Sequence, residues 1–245
     1  KSVEGIGVLQ SAKTYYYVFR GASLINVVCN ISRNRAYPDF KNDSKFNNLT
    51  ENTMEILFKA NSFPNTLNTL MGIESNYLLR IGDATIPNNQ LQVATSVNNC
   101  TSADLQLESG KWYHVAVAFN KGNVKVYING VEKLSGSTGK SSVSLGAKHT
   151  NEEDGSRCFW VGYSYKDDRY FDGVVSEVRI WNRALTAEEI QATNHFYTIE
   201  PESEGLIAYW KFDEGSGTVA KDYSVSGYDL TIEKEPKWES VSLPQ

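Results

Sequence analysis

The feature that most constrains the fold is a stretch of alternating residues between Gly110 and Ser137. From Tyr113 to Phe119, large apolar side chains take every second position, and His114 and two alanines fill the positions between them. A period of two indicates a β-strand with one face turned to the core. A second such strand follows Lys121-Gly122-Asn123 and ends at Asn129-Gly130, a dipeptide that favours a tight hairpin because both positions tolerate positive φ angles. The stretch predicts three consecutive antiparallel strands.

Similar runs recur along the chain, separated by residues typical of turns. They are Tyr15 to Phe19, Ala22 to Val28, Thr53 to Lys59, Leu67 to Ile73, Tyr77 to Ile81, Gln90 to Val97, Phe159 to Tyr163, Gly173 to Trp181, Gly205 to Phe212, Val219 to Tyr223, and Tyr228 to Ile232. A spacing of about ten residues is typical of a sandwich of two antiparallel sheets. One short helix is predicted near residues 186–195, where Thr186 and Glu189 form a capping box. The fold class predicted is all-β.

Composition narrows the possible partners. The chain has 245 residues, 40% of them hydrophobic, which is enough for a large buried core. Its formal charge of −5 argues against nucleic acid as a partner. No run approaches the about 20 apolar residues that span a bilayer, so no membrane-spanning segment is predicted. The chain begins at Lys1 rather than at a methionine, and we expect a processed or excised part of a longer protein.

The three cysteines, Cys29, Cys100 and Cys158, cannot all pair within one chain, and their spacing fits no compact metal motif. We expect them to be small buried hydrophobic residues, with one intramolecular disulfide at most.

Three blocks carry a family resemblance: GKWYHVAVAFNKGNVKVYINGVEK from residue 110, YFDGVVSEVRIWNRALTAEEIQA from residue 170, and GLIAYWKFDEGSGTVAKDYSVSGYDLTI from residue 205. Together they resemble the laminin-G-like members of the concanavalin A-like lectin and glucanase superfamily. The resemblance implies a jelly-roll sandwich and a secreted or surface-displayed protein of the kind found in glycan-foraging bacteria.

The order of these blocks predicts the domain organisation. The third block usually opens the domain in this family, whereas here it closes the chain, so we predict a permuted arrangement, which neighbouring termini would permit. Residues 36–245 are predicted to form the jelly-roll domain. Residues 1–35 are predicted to be one or more N-terminal strands, or the remnant of a preceding module.

The resemblance also raises the question of catalysis, since glucanases of the superfamily use two strand carboxylates with an aspartate between them. The comparable segment here runs from Glu51 to Glu55 and has Thr53 in the bridging place, so both glutamates are predicted to be solvated strand charges. The histidines offer no alternative: His114 is expected to be structural, His149 to lie in a polar loop and His195 to end the helix. Their spacing assembles no zinc cluster, and no catalytic residue is predicted.

Calcium is a possible cofactor, because sandwich modules often hold one ion through loop oxygens. The family commonly has an acid in its last strand; here Ser176 takes that place, while Glu177 remains. The candidate ligands are Glu177, Asp213 and Asp222, although turn formation and capping account equally well for the two aspartates.

Sugar recognition uses aromatic rings beside planar polar groups, held on loops of a rigid scaffold. Two neighbouring segments have this mixture, and their candidate ligand-binding residues are Asp154, Arg157, Tyr163, Tyr165, Asp167, Asp168, Arg169 and Tyr170. An exposed hairpin tip with a few tyrosines would give the same pattern. The tryptophans Trp112, Trp181 and Trp210 lie in apolar strand patterns and are predicted to be core residues.

Three functions remain open. The first is a non-catalytic carbohydrate-binding or adhesion module with a glycan or polysaccharide partner. The second is a glycoside hydrolase with atypical acids. The third is a protein-interaction module, as laminin-G-like domains often are.

Overall fold

The computed structural model describes residues 25–74, 76–96, 99–146, 158–164 and 167–243. These residues form sixteen strands and one α-helix, α1 (Ala187–Ile190). The strands are β1 (Ile25–Asn30), β2 (Ala36–Pro38), β3 (Glu51–Ala60), β4 (Asn68–Ile73), β5 (Tyr77–Asp83), β6 (Ile86–Ser96), β7 (Asn99–Gln106), β8 (Trp112–Asn120), β9 (Asn123–Ile128), β10 (Val131–Ser137), β11 (Trp160–Val161), β12 (Gly173–Trp181), β13 (Leu206–Trp210), β14 (Val219–Ala220), β15 (Leu230–Ile232) and β16 (Lys237–Ser242).

The strands make two antiparallel sheets of eight strands each. Sheet 1 has the order β10-β9-β8-β3-β12-β1-β16, and β13 pairs with β12 beside this path. Sheet 2 has the order β14-β15-β2-β11-β4-β5-β6-β7. The predicted all-β sandwich with one short helix is therefore confirmed.

The predicted meander is present as β8, β9 and β10. Asn129 and Gly130 both have positive φ angles, 50° and 76°, as the tight turn between β9 and β10 requires. The Asn129 side chain also accepts a hydrogen bond from the backbone N–H of His114 at 2.8 Å. The backbone N–H of Asn129 in turn donates to the His114 carbonyl. The turn residue thus fixes the register of two strands.

Alternation on β8 separates the two faces of sheet 1. Val115, Val117 and Phe119 point into the main core between the sheets. Ala116 and Ala118 point to the opposite, outer face and belong to a second apolar cluster. The main core is therefore the sandwich interior, as the period of two predicts.

Residues 182–199, which we call the covering segment, close the outer face of sheet 1. The segment includes α1, whose capping box between Thr186 and Glu189 is present as predicted. Leu185 and Ile190 pack from this segment against Trp181 and Tyr209 of the sheet. The helix has four residues, so it is shorter than the predicted span of 186–195.

Several individual predictions can be compared with the structure. Trp181 and Trp210 are core residues, and Cys29 and Cys158 are buried, all as predicted. The prediction for Trp112 was wrong: its ring is partly exposed beneath the Lys59 ammonium. The first residue of β8 lies at the rim of the sheet, where the core no longer encloses it.

The N-terminal part of the described chain joins the sandwich. Strand β1 pairs with β12 on one side and with β16 on the other. The strand predicted from Tyr15 to Phe19 lies outside the described residues. In the described part of the chain, no helix has the length and apolar character needed to cross a membrane.

Candidate functional site

The outer face of sheet 2 carries a row of aromatic side chains. Strands β2 and β11 pair through Ala36 and Val161, whose side chains enter the core. Alternation therefore turns the neighbouring Tyr37 and Trp160 to the outer face. We use the name aromatic face for the surface formed by Tyr37, Trp160, Tyr163 and Tyr170.

The rings of the aromatic face contact one another in sequence. Tyr37 meets Trp160 edge to face at a centroid distance of 5.3 Å, and Trp160 meets Tyr163 in the same way at 5.1 Å. Tyr163 and Tyr170 are 4.9 Å apart with a tilt of 41°. Trp160 and Tyr163 are buried, while Tyr37 and Tyr170 at the two ends of the row are partly exposed. The buried rings thus support two outer tyrosines on a rigid base.

Arg35 lies against this row. Its guanidinium carbon is 5.2 Å from the ring centroid of Trp160 and 4.8 Å from that of Tyr163, so a planar cation covers both rings. Its Nε atom forms an ion pair with Glu233. Burial lowers the pKa of Arg35, but the hydrogen bond and the charge of Glu233 outweigh this and leave the pKa raised.

A second charged group adjoins Tyr170. Arg169 Nη1 donates to Glu74 Oε2 at 3.2 Å, and Arg80 Nη1 lies 3.9 Å from the other oxygen of that carboxylate. Arg80 also donates from Nε to Gln92 at 2.7 Å and pairs with Asp83. The aromatic face therefore borders a network of paired charges that extends from Arg169 through Glu74 to Arg80 and Asp83 of β5.

The structure brings together four of the predicted ligand-binding residues. Tyr163, Arg169 and Tyr170 belong to or adjoin the aromatic face, and the carboxylate of Asp168, 78% exposed, lies 4.0 Å from Arg169 Nε. Asp167 opens a short 3-10 helix that ends at Arg169. The others, Asp154, Arg157 and Tyr165, lie outside the described residues.

Sequence reasoning missed Arg35, Tyr37 and Trp160. Strand β2 has only three residues and ends in Pro38, so no alternation could be recognised there, and proline argues against a central strand. Trp160 lay in a predicted strand, but its contact with Tyr37 depends on the pairing of β11 with β2. A tertiary contact of this kind leaves no signal in the local sequence.

A second polar site lies beneath the covering segment. Glu55 Oε1 is 2.6 Å from His195 Nε2 and 3.3 Å from His114 Nε2, and Trp181 Nε1 donates to Glu55 Oε2 at 2.7 Å. Arg179 Nη1 is 3.7 Å from Glu55 Oε2 and donates to the His195 carbonyl at 2.6 Å. Strand register places these groups together, since Glu55 pairs with Arg179 across β3 and β12. We call this the buried ionic cluster.

Burial and charge shift the titration of this cluster. Desolvation raises the pKa of Glu55, but hydrogen bonds from His114 and His195 and the charge of Arg179 hold that pKa well below its usual range. Desolvation lowers the pKa of His114, and contact with Glu55 offsets this only in part. Glu177, which accepts from Arg179 Nη2 at 2.7 Å, has its pKa raised by burial to about 7.

These observations correct three predictions. Glu55 is not a solvated strand charge but is 1% exposed, because the covering segment closes the face on which it lies. The two histidines and Glu55 do come together, with ligand atoms within 4.8 Å of one another, although the sequence spacing gave no cluster. His195 lies beyond the end of α1 and does not cap it.

The buried ionic cluster does not fit a zinc ion. In a tetrahedral site with ligand distances of about 2.0–2.1 Å, neighbouring ligand atoms are about 3.3 Å apart. Here Glu55 Oε1 is already within 2.6 Å of His195, and the Arg179 cation adjoins the same carboxylate. The Glu55 carboxylate contacts His195 directly, which leaves no space for a metal ion between them. The cluster therefore joins sheet 1 to the covering segment through ionic contacts.

The three candidate calcium ligands do not fit a calcium site either. The Glu177 carboxylate is paired with Arg179 on the outer face of sheet 1. The Asp222 carboxylate accepts from the backbone N–H groups of Tyr209, Ser224 and Tyr228 at 2.8–2.9 Å, which is the capping role. Asp213 contacts the Tyr223 hydroxyl at 3.4 Å.

Comparison with known families and structures agrees with this architecture. A family model described as "Concanavalin A-like lectin/glucanases superfamily" matches residues 34–191. The chain belongs to this superfamily, as the resemblance implied. None of the curated proteins matches it.

Among solved structures, one described as "a putative carbohydrate binding protein" from Bacteroides ovatus is similar, with 27% identity and a TM-score of 0.74. The match covers 90% of this chain and 61% of that chain, so this chain spans less than two thirds of that protein.

Two further structures share the fold. One is domain 4 of a GH43 extracellular arabinanase from Geobacillus stearothermophilus, in complex with arabinotriose. Its TM-score is 0.51 and its identity is 23%, over 67% of this chain and 74% of that chain. The other is the CBM40 of a Ruminococcus gnavus IT-sialidase, bound to α2,3-sialyllactose. Its TM-score is 0.50 and its identity is 15%, over 70% of this chain and 98% of that chain.

Proposed function

We propose that this chain is a non-catalytic carbohydrate-binding module and that its glycan lies on the aromatic face. The observation that carries the proposal is the row of four rings with Arg35 stacked on it. Apolar faces of sugar rings pack on aromatic side chains, and planar polar groups beside the rings can bond hydroxyls. A rigid sheet that holds Tyr37 and Tyr170 partly exposed meets both requirements.

The comparisons support the same function. The Bacteroides ovatus protein described as carbohydrate binding is similar to 90% of the length of the present chain. The arabinanase domain and the CBM40 domain, which share the fold, were solved with bound oligosaccharides. Glycans of the kinds that such modules bind are found outside cells, and we propose a secreted or surface-exposed location, which immunodetection on intact cells and in the culture medium would check.

The covering segment favours binding over hydrolysis. A retaining glycosidase needs two carboxyl groups about 5 Å apart at an accessible position. Glu55, the carboxylate that comes nearest to the glucanase pattern, is buried and paired with His195 and Trp181. The glycoside hydrolase alternative therefore has no accessible acid at that position.

Binding to a glycan array, followed by calorimetric titration with the best glycan, tests the proposal. Tyr37→Ala and Tyr170→Ala should each weaken binding about tenfold, which corresponds to about 1.4 kcal/mol. Tyr223→Ala is the matched control, because Tyr223 is also an exposed tyrosine but contacts Tyr209 and Lys211 on the outer side of sheet 1. Equal affinity for all four proteins, or no glycan bound by the unmodified chain, would refute the proposal.

A further inference from the structure

We infer that the aromatic face binds uncharged glycans and discriminates against sugars that carry a carboxylate, such as sialic acids and uronic acids. The inference rests on the proposed function and adds the chemical class of the ligand. It is argued from the charges around the rings and from the partners that those charges already have.

Recognition of a sugar carboxylate favours a bidentate contact from an arginine whose donors are available. Arg35 is the described cation that contacts the rings, but its Nε atom is paired with Glu233 and its guanidinium carbon lies 5.2 Å and 4.8 Å from the ring centroids of Trp160 and Tyr163. A sugar carboxylate would have to share the Nη groups of a guanidinium whose charge Glu233 already offsets. It therefore gains little from Arg35.

The other arginines near the face are also paired. Glu74 accepts from Arg169, and its second oxygen faces Arg80. Arg80 has a further carboxylate partner in Asp83 and is 7% exposed. These cations are therefore neutralised and positioned by the protein itself.

Among the described side chains beside Tyr170, the most exposed charge is negative. The Asp168 side chain is 78% exposed and lies within 4.0 Å of Arg169. A sugar carboxylate that approaches Tyr170 meets this anion first, and the repulsion is reduced by salt. An uncharged sugar can instead stack on the outer tyrosines without displacing any ion pair.

The test uses an array of matched pairs, each a neutral glycan and its carboxylated counterpart. Examples are lactose with 3′-sialyllactose, and methyl-esterified with de-esterified polygalacturonate. The neutral member of a bound pair should bind at least about tenfold more tightly, and the difference should shrink as sodium chloride is raised.

A charge variant sharpens the result. Glu233→Gln removes the partner of Arg35 and should raise the affinity for the carboxylated member of the pair, with little change for the neutral one. Glu132→Gln is the matched control, because Glu132 forms an exposed ion pair with Lys125 on the β9–β10 hairpin of sheet 1. Thermal melting of both variants establishes that they are folded.

The outcomes separate the two proposals. Tighter binding of the neutral members, with the gain in Glu233→Gln, supports the inference. Equal or tighter binding of carboxylated members by the unmodified chain overturns the inference and leaves carbohydrate binding intact. Absence of binding to every glycan overturns both.

Discussion

Replacement of Arg179 by methionine tests whether the buried ionic cluster stabilises the fold. The guanidinium is buried and makes three polar contacts: with the His195 carbonyl at 2.6 Å, with Glu177 at 2.7 Å and with Glu55 at 3.7 Å. Methionine keeps the apolar part of the side chain and removes the charge. Two buried carboxylates and one carbonyl oxygen then lose their cationic partner.

The expected magnitude follows from the cost of an uncompensated buried charge. Removal of one partner of a buried ion pair destabilises a protein by about 3–5 kcal/mol. For a domain of this size, 1 kcal/mol lowers the Tm by about 2–4 °C, so the Tm should fall by roughly 6–20 °C.

Urea unfolding followed by tryptophan fluorescence, together with calorimetry, measures this loss. Lys125→Met provides the control, since it removes one partner of an exposed pair and should change the free energy of unfolding little. Adding Glu177→Gln to Arg179→Met should recover part of the loss, because one of the unpaired carboxylates is removed. A loss in Arg179→Met no larger than in the control would refute the reasoning.

Three further outcomes are expected. Burial lowers the pKa of His114, so the unfolded chain binds an extra proton at this residue below about pH 6.5. The contribution of His114 to stability should therefore fall with decreasing pH by up to about 1.4 kcal/mol per unit. Urea unfolding of the unmodified chain and of His114→Gln at several pH values isolates this contribution, because the opposite effect of Glu177, whose pKa is raised to about 7, is present in both proteins; a difference that does not change with pH would contradict the reasoning. Gly72→Ala should lower the free energy of unfolding by at least about 2 kcal/mol, because the φ angle of Gly72 is 122° and an added Cβ atom would lie 2.3 Å from a backbone oxygen. Gly110→Ala is the control: a Cβ atom there meets open space, so the loss should be about 1 kcal/mol. Equal losses in the two variants would contradict the steric argument. Cys29 and Cys158 are buried, and burial also raises the pKa of Cys29, so neither thiol should react with iodoacetamide in the native protein. Peptide mapping should find both unmodified in native protein and alkylated in urea. Rapid labelling of the native protein would argue against the packing.

The fold could be predicted from the sequence because most of its strands have a recognisable local pattern of alternating residues. The period of two on β8 and β9 and the Asn129-Gly130 turn depend only on backbone geometry, and Gly173–Trp181 was predicted with the bounds that β12 has in the structure. Strands β2, β7 and β16 were missed. Strand β2 shows why: three residues ending in proline carry too little pattern to be recognised.

The sites could be predicted only in part. Tyr163, Asp168, Arg169 and Tyr170 were predicted as one group because they are close in the sequence, and the structure places them at or beside the aromatic face. Arg35 and Tyr37 reach the same surface only because β2 pairs with β11, more than a hundred residues away in the chain.

The sequence by itself determined the fold class, the superfamily and the inward-facing apolar positions, since these depend on local periodicity and on motifs. Tertiary structure alone decided the environment of Glu55. Its strand position gives the same pattern whether the outer face is open or closed, and it is the covering segment, carrying His195, that changes an apparent surface charge into the centre of a buried ionic cluster.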